Sequence, residues 1–249
     1  MTRRVLEIAA NSLASALSAQ EGGADRVELC ADLGNGGTTP SYGTLEITRD
    51  RLRIPLYVLI RPRTGDFCYD VGEIGVMLRD IETCVKLGCD GVVIGALDTQ
   101  GDVDAAVCRE LIAAAGQLGV TFHRAFDTTR DKVRALETII ELGCERVLTS
   151  GGEPNALAGA ERIAGFVTQA GSRLKIMAGA GVDASNILEV ARRSGAREFH
   201  GSARAMRRSL SRHRNDGLPG LEADWWQTDA GGVRAMADAV RVLGNQATA

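Results

Sequence analysis

The sequence lacks the segments and the charge excess that would place the protein in a membrane or on a nucleic acid. No apolar run approaches the ~20 residues that a transmembrane helix needs. Residues 1–4 lead directly into a predicted strand instead of the apolar core of a signal peptide. The formal net charge is only −3, so no basic field attracts DNA, RNA or anionic lipid. We therefore expect a cytoplasmic protein with a small partner, and neither a membrane nor a nucleic acid.

A second absence separates two α/β architectures. Buried strands alternate with amphipathic helical patterns, which indicates parallel strands joined by crossover helices. An open, doubly wound sheet usually carries Gly-x-Gly-x-x-Gly after its first strand, whereas here the strand at 5–9 runs into Ala10, Asn11 and Ser12. The length of 249 residues is typical of one complete barrel. We predict an α/β fold with a single (β/α)8 TIM barrel over 1–249 and no nucleotide cofactor.

A weak internal repeat agrees with eight βα units. Gly23, Gly88, Gly143 and Gly195 each end a helical pattern and precede an apolar strand, as glycines with positive φ commonly do. The other strands are predicted at 5–9, 56–60, 120–122 and 176–178. A long excursion over 204–224 follows the eighth strand, and we expect either a loop over the barrel or an oligomer contact before the last helix at 233–243. The tryptophans at 225 and 226 are expected to pack against the barrel exterior.

Polar side chains collect at the ends of the predicted strands, where the active sites of such barrels lie. Glu28 lies on the second strand, Arg61 ends the third, and His123 and Arg124 end the fifth. A carboxylate beside an imidazole suits proton transfer, and arginines bind anions. We predict Glu28 as a base, His123 as its acid partner, and both arginines as groups that neutralise substrate charge.

A structural alternative accompanies that prediction. Glu7 and Glu28 lie inside apolar strands, where an unpaired carboxylate is costly, so both need partners. A glutamate–arginine network with Arg61 or Arg124 would satisfy them and would only hold the barrel mouth together. His123 has a similar alternative as a hydrogen-bonded core residue.

Glycines and a serine after the last two strands predict an anion site. The seventh strand runs into Gly179-Ala-Gly181, and the eighth ends in Gly201-Ser202. Small residues let backbone N–H groups approach an anion at a helix N-terminus, as in the phosphate sites of many barrels. We expect the N–H groups of residues 179–182 and of Ser202 to hold a phosphate or carboxylate, although the glycines alone are also compatible with a tight turn.

The six cysteines contain no Cys-x-x-Cys or Cys-x-Cys motif, so we expect reduced thiols without a disulfide framework. Four of them lie at helix-to-strand corners or in helical patterns and are predicted to be small buried hydrophobes. Cys30 follows the second strand, and Cys68 lies in the loop after the third. Two thiolates at one mouth would suit a soft ion such as Cu(I).

Several motifs resemble those of the CutC family, and together they span nearly the whole chain. They lie at residues 26–30, 36–41, 60–69, 121–127, 147–151, 177–182 and 214–217. The resemblance implies a cytoplasmic TIM barrel that forms a homodimer or higher homo-oligomer. It also implies a role in copper homeostasis through cysteines, which by position are Cys30 and Cys68 here.

Two functions follow from these observations. The family resemblance favours copper homeostasis with Cu(I) bound by Cys30 and Cys68. The strand ends favour an enzyme that uses acid–base chemistry on a small phosphorylated or carboxylated metabolite, with Gly179, Gly181 and Ser202 holding the anion. The expected partner is accordingly a copper ion or a small anionic metabolite.

Overall fold

Eight parallel strands form a closed barrel in the computed structural model, which describes residues 4–215 and 217–245. The strands pair in sequence order, and β1 pairs with β8 to close the cylinder. This confirms the predicted TIM barrel. The strands are β1 Val5–Ala10, β2 Arg26–Leu29, β3 Leu56–Leu59, β4 Gly91–Ile94, β5 Gly119–Phe122, β6 Arg146–Thr149, β7 Lys175–Ala178 and β8 Glu198–Gly201.

Helices surround the barrel and bury their apolar stripes against the outer faces of the strands. None of the helices in the described part of the chain is long and apolar enough to cross a membrane. The helices are α1 Leu13–Gly22, α2 Tyr42–Arg51, α3 Val71–Lys86, α4 Ala105–Ala115, α5 Ala125–Thr128, α6 Lys132–Glu141, α7 Ala160–Ala170, α8 Ile187–Ser194 and α9 Ala230–Asn245.

The repeated glycine corners have the geometry that the sequence predicts. After α3, Gly88 has a φ of +69°, and its N–H donates to the Val85 carbonyl at 3.1 Å. The N–H of Cys89 then reaches the Cys84 carbonyl at 3.0 Å, which completes a Schellman motif. Positive φ angles recur at the other three corners, at Gly23, Gly143 and Gly195.

The interior of the barrel carries charged side chains at positions where such barrels usually place branched apolar ones. Successive side chains in a strand point to opposite faces. On β2, Val27 and Leu29 therefore pack outward in the main apolar core, while Arg26 and Glu28 point inward. β8 repeats this spacing with Glu198 and His200. The apolar core thus lies between strands and helices, and the polar groups lie inside the cylinder.

One aromatic ring fills the lower interior, near the amino ends of the strands. A Cβ atom on Gly91 would lie 2.2 Å from the Tyr57 ring, and one on Gly119 would lie 2.1 Å from the Tyr57 hydroxyl. Two neighbouring strands therefore begin with glycine because the ring takes the space of both side chains. The guanidinium groups of Arg26 and Arg146 each lie 5.0 Å from the centre of this ring.

The excursion after β8 is partly ordered as an antiparallel pair of strands, β9 Arg204–Arg207 and β10 Trp225–Thr228. Trp225 and Trp226 remain 49% and 50% exposed, so they pack against the barrel exterior less completely than expected. The pair is attached to the barrel where the Asn11 side chain donates to the Trp226 carbonyl at 3.3 Å. Asp216, within one of the family-like motifs, lies outside the described residues.

Candidate active site at the carboxyl end of the barrel

A cavity of about 480 Å³ opens at the carboxyl ends of the strands. Loops after most of the strands contribute to its wall, and the two glycine-containing turns after β7 and β8 form one side. The charged and titratable residues that line it are Glu28, Arg61, His123, Arg124, Asp127, His200 and Arg204. The structure therefore brings the predicted catalytic and anion-binding side chains to one mouth.

A connected set of ion pairs lies directly below this cavity. Arg26 bonds through Nε to Glu7 and through Nη2 to Glu198 at 3.0 Å. Arg146 bonds to the same Glu198 oxygen at 3.0 Å and to the Thr121 hydroxyl at 3.1 Å. We call Glu7, Arg26, Arg146 and Glu198 the lower network. All four are nearly inaccessible to solvent, so each charge depends on its partners.

His200 connects the lower network to the cavity. Its Nδ1 lies 2.8 Å from Glu7, and its Nε2 lies 3.6 Å from Glu28. Burial disfavours the charged form of Glu7, but Arg26 and His200 outweigh it and lower the pKa of Glu7 to about 2. Because Glu7 is ionised, Nδ1 of His200 carries a proton and donates it to Glu7. Nε2 is then the nitrogen that faces Glu28.

Glu28 is a buried carboxyl group without a tight partner. Among the described residues no donor lies within hydrogen-bond distance of it, and the His200 nitrogen at 3.6 Å is its nearest ionic neighbour. Burial raises the pKa of Glu28 to about 7, and the nearby Glu7 charge adds to the effect. Burial opposes the charged form of His200, yet Glu28 and Glu7 raise its pKa. Glu28 and His200 therefore each favour the charged form of the other across a distance of 3.6 Å.

The predicted partners of the buried glutamates were wrong. Arg26 and His200 fill that role, whereas Arg61 donates to the carbonyls of Gly37 at 2.9 Å and Gly65 at 2.8 Å. Its guanidinium also stacks on Phe67, 4.9 Å from the ring centre. Arg61 lines the cavity, but its Nη groups tie together the loops after β2 and β3.

Arg124 and Asp127 organise the opposite rim. The Asp127 carboxylate accepts from the Thr149 hydroxyl at 2.5 Å and from the backbone N–H groups of Ser150 and Gly152. It also accepts from Arg124 Nε at 2.8 Å, and Arg124 Nη2 donates to the Ser150 hydroxyl at 3.0 Å. The arginine is thereby held at the cavity edge while its side chain stays 44% exposed, so it remains able to meet an anion.

His123 is the predicted acid partner of Glu28, but its protonation state does not suit that role. Burial and the charge of Arg61 lower the pKa of His123 to about 3. The imidazole is therefore neutral near pH 7 and is not the protonated acid that this role requires. His200 occupies the position next to Glu28 that the sequence analysis assigned to His123.

Only some of the N–H groups predicted to bind an anion at the turns after β7 and β8 are without an acceptor in the described residues. The N–H of Gly179 donates to the Thr149 carbonyl at 3.0 Å and is not free for an anion. Glycine is needed there for space, since a Cβ would lie 2.5 Å from Leu148. By contrast, no acceptor within residues 4–215 and 217–245 takes the N–H groups of Gly181, Val182 or Ser202.

The backbone of this turn has an unusual conformation. Ala180 has a φ of +75° and Gly181 one of +67°, and a non-glycine residue rarely occupies this region. The Ala180 carbonyl accepts from Ala156 at 2.9 Å, and the Gly181 carbonyl accepts from Asn186 Nδ2 at 2.7 Å. These bonds fix both carbonyls of the turn within the protein.

Neither Cys30 nor Cys68 belongs to the residues that line the cavity. Cys30 is fully buried, and its thiol lies 3.7 Å from the Ala10 carbonyl. The thiol of Cys68 donates to the Asp98 carbonyl at 3.2 Å. Burial raises the pKa of both thiols, which disfavours the thiolates that bind copper. In the part of the chain that is described, no group of three or more His, Cys, Asp or Glu side chains is placed to hold a metal ion.

Five residues at or below the site were not among the sequence-based candidates. Arg26 and Glu198 could have been found from spacing, because each lies two residues before a mouth residue on the same inward face. Asp127 and His200 lie at strand ends, and only their partners in space distinguish them from solvated polar residues. Arg204 was hidden in an arginine-rich segment that offered no way to single it out.

The fold and the site together define a class: a (β/α)8-barrel protein with a cavity lined by charged side chains at the carboxyl end of its strands. Residues 4–205 match the model of the CutC family, and the chain belongs to that family. A relative from Xanthomonas campestris pv. campestris strain B100, described as a family protein CutC, is 57% identical over 231 residues, which cover 93% of this chain and 96% of the relative.

Solved structures agree with this assignment. The CutC protein of Streptococcus agalactiae aligns with a TM-score of 0.77 and 32% identity, over 80% of this chain and 98% of that one. The phosphoribosyl anthranilate isomerase of Thermotoga maritima aligns with a TM-score of 0.58 and 11% identity, over 97% of this chain and 100% of that one. The second likeness shows the barrel fold alone.

Proposed function

We propose that the protein is an enzyme that performs acid–base chemistry on a small phosphorylated or carboxylated metabolite. The observation that carries the proposal is the environment of Glu28. Its carboxyl group is buried at the wall of an open cavity, has a pKa of about 7, and faces a histidine that is held from behind by an ionised glutamate. Strongly perturbed groups in a cleft are typical of catalytic sites.

Each residue of this arrangement has a separate role. Glu28 takes up or releases the substrate proton, since a pKa near the working pH suits a general base or acid. His200 adjusts the charge beside Glu28 through Nε2. Glu7 is a positioning residue, because it fixes the orientation and tautomer of His200 and does not reach the cavity.

The anion of the substrate would bind at the turns after β7 and β8. Gly181, Val182 and Ser202 line the cavity with backbone N–H groups that no acceptor in the described residues takes, and such groups can bind a phosphate or carboxylate. Arg124 and Arg204 add positive charge at the rim. Asp127 is already paired with Arg124, so it opposes an incoming anion only weakly.

The test is a search for turnover with a control in the same chain. Wild-type protein is incubated in D₂O with a panel of phosphorylated and carboxylated metabolites, and ¹H and ³¹P NMR record product formation or deuterium uptake. Glu28→Gln should abolish the change, and Glu137→Gln, on an exposed pair with Arg173, should not. Turnover that survives Glu28→Gln would refute the role of Glu28, and a panel left unaltered by wild-type protein would count against the enzyme.

Copper binding by Cys30 and Cys68 is the second candidate function. It is supported by the provisional copper-homeostasis name of the Streptococcus agalactiae relative and by the presence of both cysteines. The environments of the two thiols fit a copper ion poorly, for the reasons given above. Titration of Cu(I) against a competing chelator tests it: Cys30→Ser and Cys68→Ser should each abolish sub-micromolar binding, and Cys108→Ser should not. An equal titration curve for all variants would remove this function.

We propose in addition that the protein acts in the cytoplasm as a homodimer or higher homo-oligomer. The support is the CutC family membership together with the exposed tryptophans of the β9–β10 pair. Size-exclusion chromatography with light scattering measures the assembly directly, and a monomer at micromolar concentration would contradict it.

A further inference from the structure

We propose that His123 binds a carbonyl oxygen of the substrate through Nε2–H, and that the reaction is proton transfer at the carbon next to that carbonyl. The inference rests on the proposed function for its use of Glu28 as the base. It adds the chemical class of the substrate, a phosphorylated or carboxylated carbonyl compound, and it gives His123 a role as a binding and stabilising group.

The hydrogen bonds of His123 fix its tautomer. The backbone N–H of Ala125 donates to Nδ1 of the imidazole at 3.1 Å, which uses the lone pair of that nitrogen. In a neutral ring the proton must then be on Nε2. The second nitrogen is therefore a donor.

The surroundings keep this imidazole neutral and immobile. The Phe67 ring lies 5.0 Å from it, centre to centre. On the other side Gly95 allows close packing, because a Cβ there would lie 2.5 Å from the ring carbon Cε1 of His123. The Arg61 charge, held by loop carbonyls, opposes a second positive charge on His123. A fixed neutral donor results.

The donor has no acceptor in the described part of the protein. Nε2 of His123 is a buried polar atom without a hydrogen-bond partner, and the residue lines the cavity. A buried donor without a partner is costly, and a protein group, an ordered water or a ligand usually satisfies such an atom. We infer that a ligand oxygen completes this site.

The chemical character of the donor indicates the kind of oxygen. A neutral imidazole is a weak acid, so it stabilises an oxygen that gains charge during the reaction without protonating the ground state. A carbonyl oxygen that becomes an enolate oxygen meets this requirement. His123 follows β5 and Glu28 lies on β2, so a substrate between them meets the base on one side and the donor on the other.

The reaction step is balanced by these groups alone. The Glu28 carboxylate removes a proton from the carbon next to the carbonyl, and the electrons of that C–H bond form a carbon–carbon double bond. The carbonyl π electrons move to oxygen, where His123 Nε2–H stabilises the enolate. Glu28 then returns the proton to a carbon of the enolate, which either restores the substrate or gives an isomer. No oxidant or further reactant is needed.

The test separates the carbonyl contact from the anion site. The probes are phosphoglycolohydroxamate, which combines a phosphate with a planar enolate-like oxygen pair, and glycerol 3-phosphate, which shares the phosphate only. Isothermal titration should show at least about 10-fold tighter binding of the hydroxamate to wild-type protein, as one additional hydrogen bond to a charged oxygen provides.

Two variants of His123 test whether the Nε2–H group makes the contact with the hydroxamate. Asparagine can accept from the Ala125 N–H but lacks the distal donor, whereas glutamine can place an N–H near the Nε2 position. His123→Asn should lose the preference for the hydroxamate, and His123→Gln should keep part of it, with unchanged far-ultraviolet circular dichroism in both. Equal binding of the two probes to wild-type protein would overturn the carbonyl contact and leave the anion site standing. Binding of neither probe would overturn the anion site and, with it, this inference.

Discussion

The lower and upper halves of the barrel interior use the same residue types for opposite purposes. In the lower network each guanidinium meets carboxylates at hydrogen-bond distance, and Arg146 also finds a hydroxyl. At the mouth, Glu28 has a distant partner only and His123 has an unused donor. The comparison teaches that a buried polar group is structural where its hydrogen bonds are complete and is able to bind a ligand where one partner is missing.

The lower network also explains how the upper half keeps its shape. Taking ions out of water is costly, and a buried ion pair rarely stabilises more than an apolar substitute would. Glu7 nevertheless accepts from both Arg26 and His200, so the network transmits a fixed geometry to the histidine at the mouth. Its value lies in orientation more than in stability.

Removal of Arg26 should give the largest effect. Arg26→Met leaves Glu7 and Glu198 buried without their common partner, and the loss of one member of a buried pair typically costs about 3–5 kcal/mol of unfolding free energy. Urea denaturation measures the loss. The matched control is Arg173→Met, which breaks the exposed pair with Glu137 and should change stability far less. Similar losses in the two variants would remove the distinction between network and surface pairs.

The two glutamates on either side of His200 should respond to pH in opposite directions. Glu28 has a pKa of about 7 in the folded protein, above its ordinary value of 4.5, so its contribution to stability is present below pH 4.5 and is lost as the pH rises to 7. Glu7 has a pKa of about 2, so its contribution is present above pH 4.5 and is lost as the pH falls towards 2.

Substitution of each glutamate by glutamine allows the opposite pH responses to be measured as changes in the free energy of unfolding. At pH 8, Glu28→Gln should raise the free energy of unfolding and Glu7→Gln should lower it, each on the order of 2–3 kcal/mol. At pH 4.5 the gain from Glu28→Gln should nearly disappear. Denaturation curves at the two pH values decide the matter, and a loss of stability in Glu28→Gln at pH 8 would show that Glu28 is part of a satisfied network after all.

A smaller effect tests how tightly the lower half is packed. Gly91→Ala places a methyl group against the Tyr57 ring and should cost about 1–3 kcal/mol of unfolding free energy. Gly75→Ala in α3 meets nothing within 4 Å and should stabilise the protein by about 0.5–1 kcal/mol. Thermal unfolding compares the two, and the same sign for both changes would contradict the tight fit around Tyr57.

The fold was predictable because its signals are local and repeated. The glycine corners at 23, 88, 143 and 195 and the alternation of strands with helices follow from short-range patterns. The strand Arg204–Arg207 was not predicted, since its partner, Trp225–Thr228, lies about twenty residues further on and the arginine-rich stretch has no strand periodicity. The half-exposed tryptophans were expected to be covered because aromatic residues usually are.

The site was predictable as a set of residue types and only partly as a set of roles. Position at a strand end identified Glu28, Arg61, His123 and Arg124. Roles depend on which atoms meet across the barrel, so His200 could not be distinguished from His123 as the partner of Glu28. The tautomer of His123 depends on one backbone N–H, and the hydrogen bond of Gly179 depends on pairing with β6. Residue spacing predicts neither of them.

The ring of Tyr57 limits the routes by which a ligand can enter and leave the cavity. Together with the two guanidinium groups stacked on it, it plugs the barrel axis at the amino ends of the strands. A ligand of the cavity therefore enters and leaves through the same opening, at the carboxyl ends of the strands. The time a ligand spends inside is then governed at the rim, where Arg204 begins the β9–β10 pair, and not by any passage through the barrel.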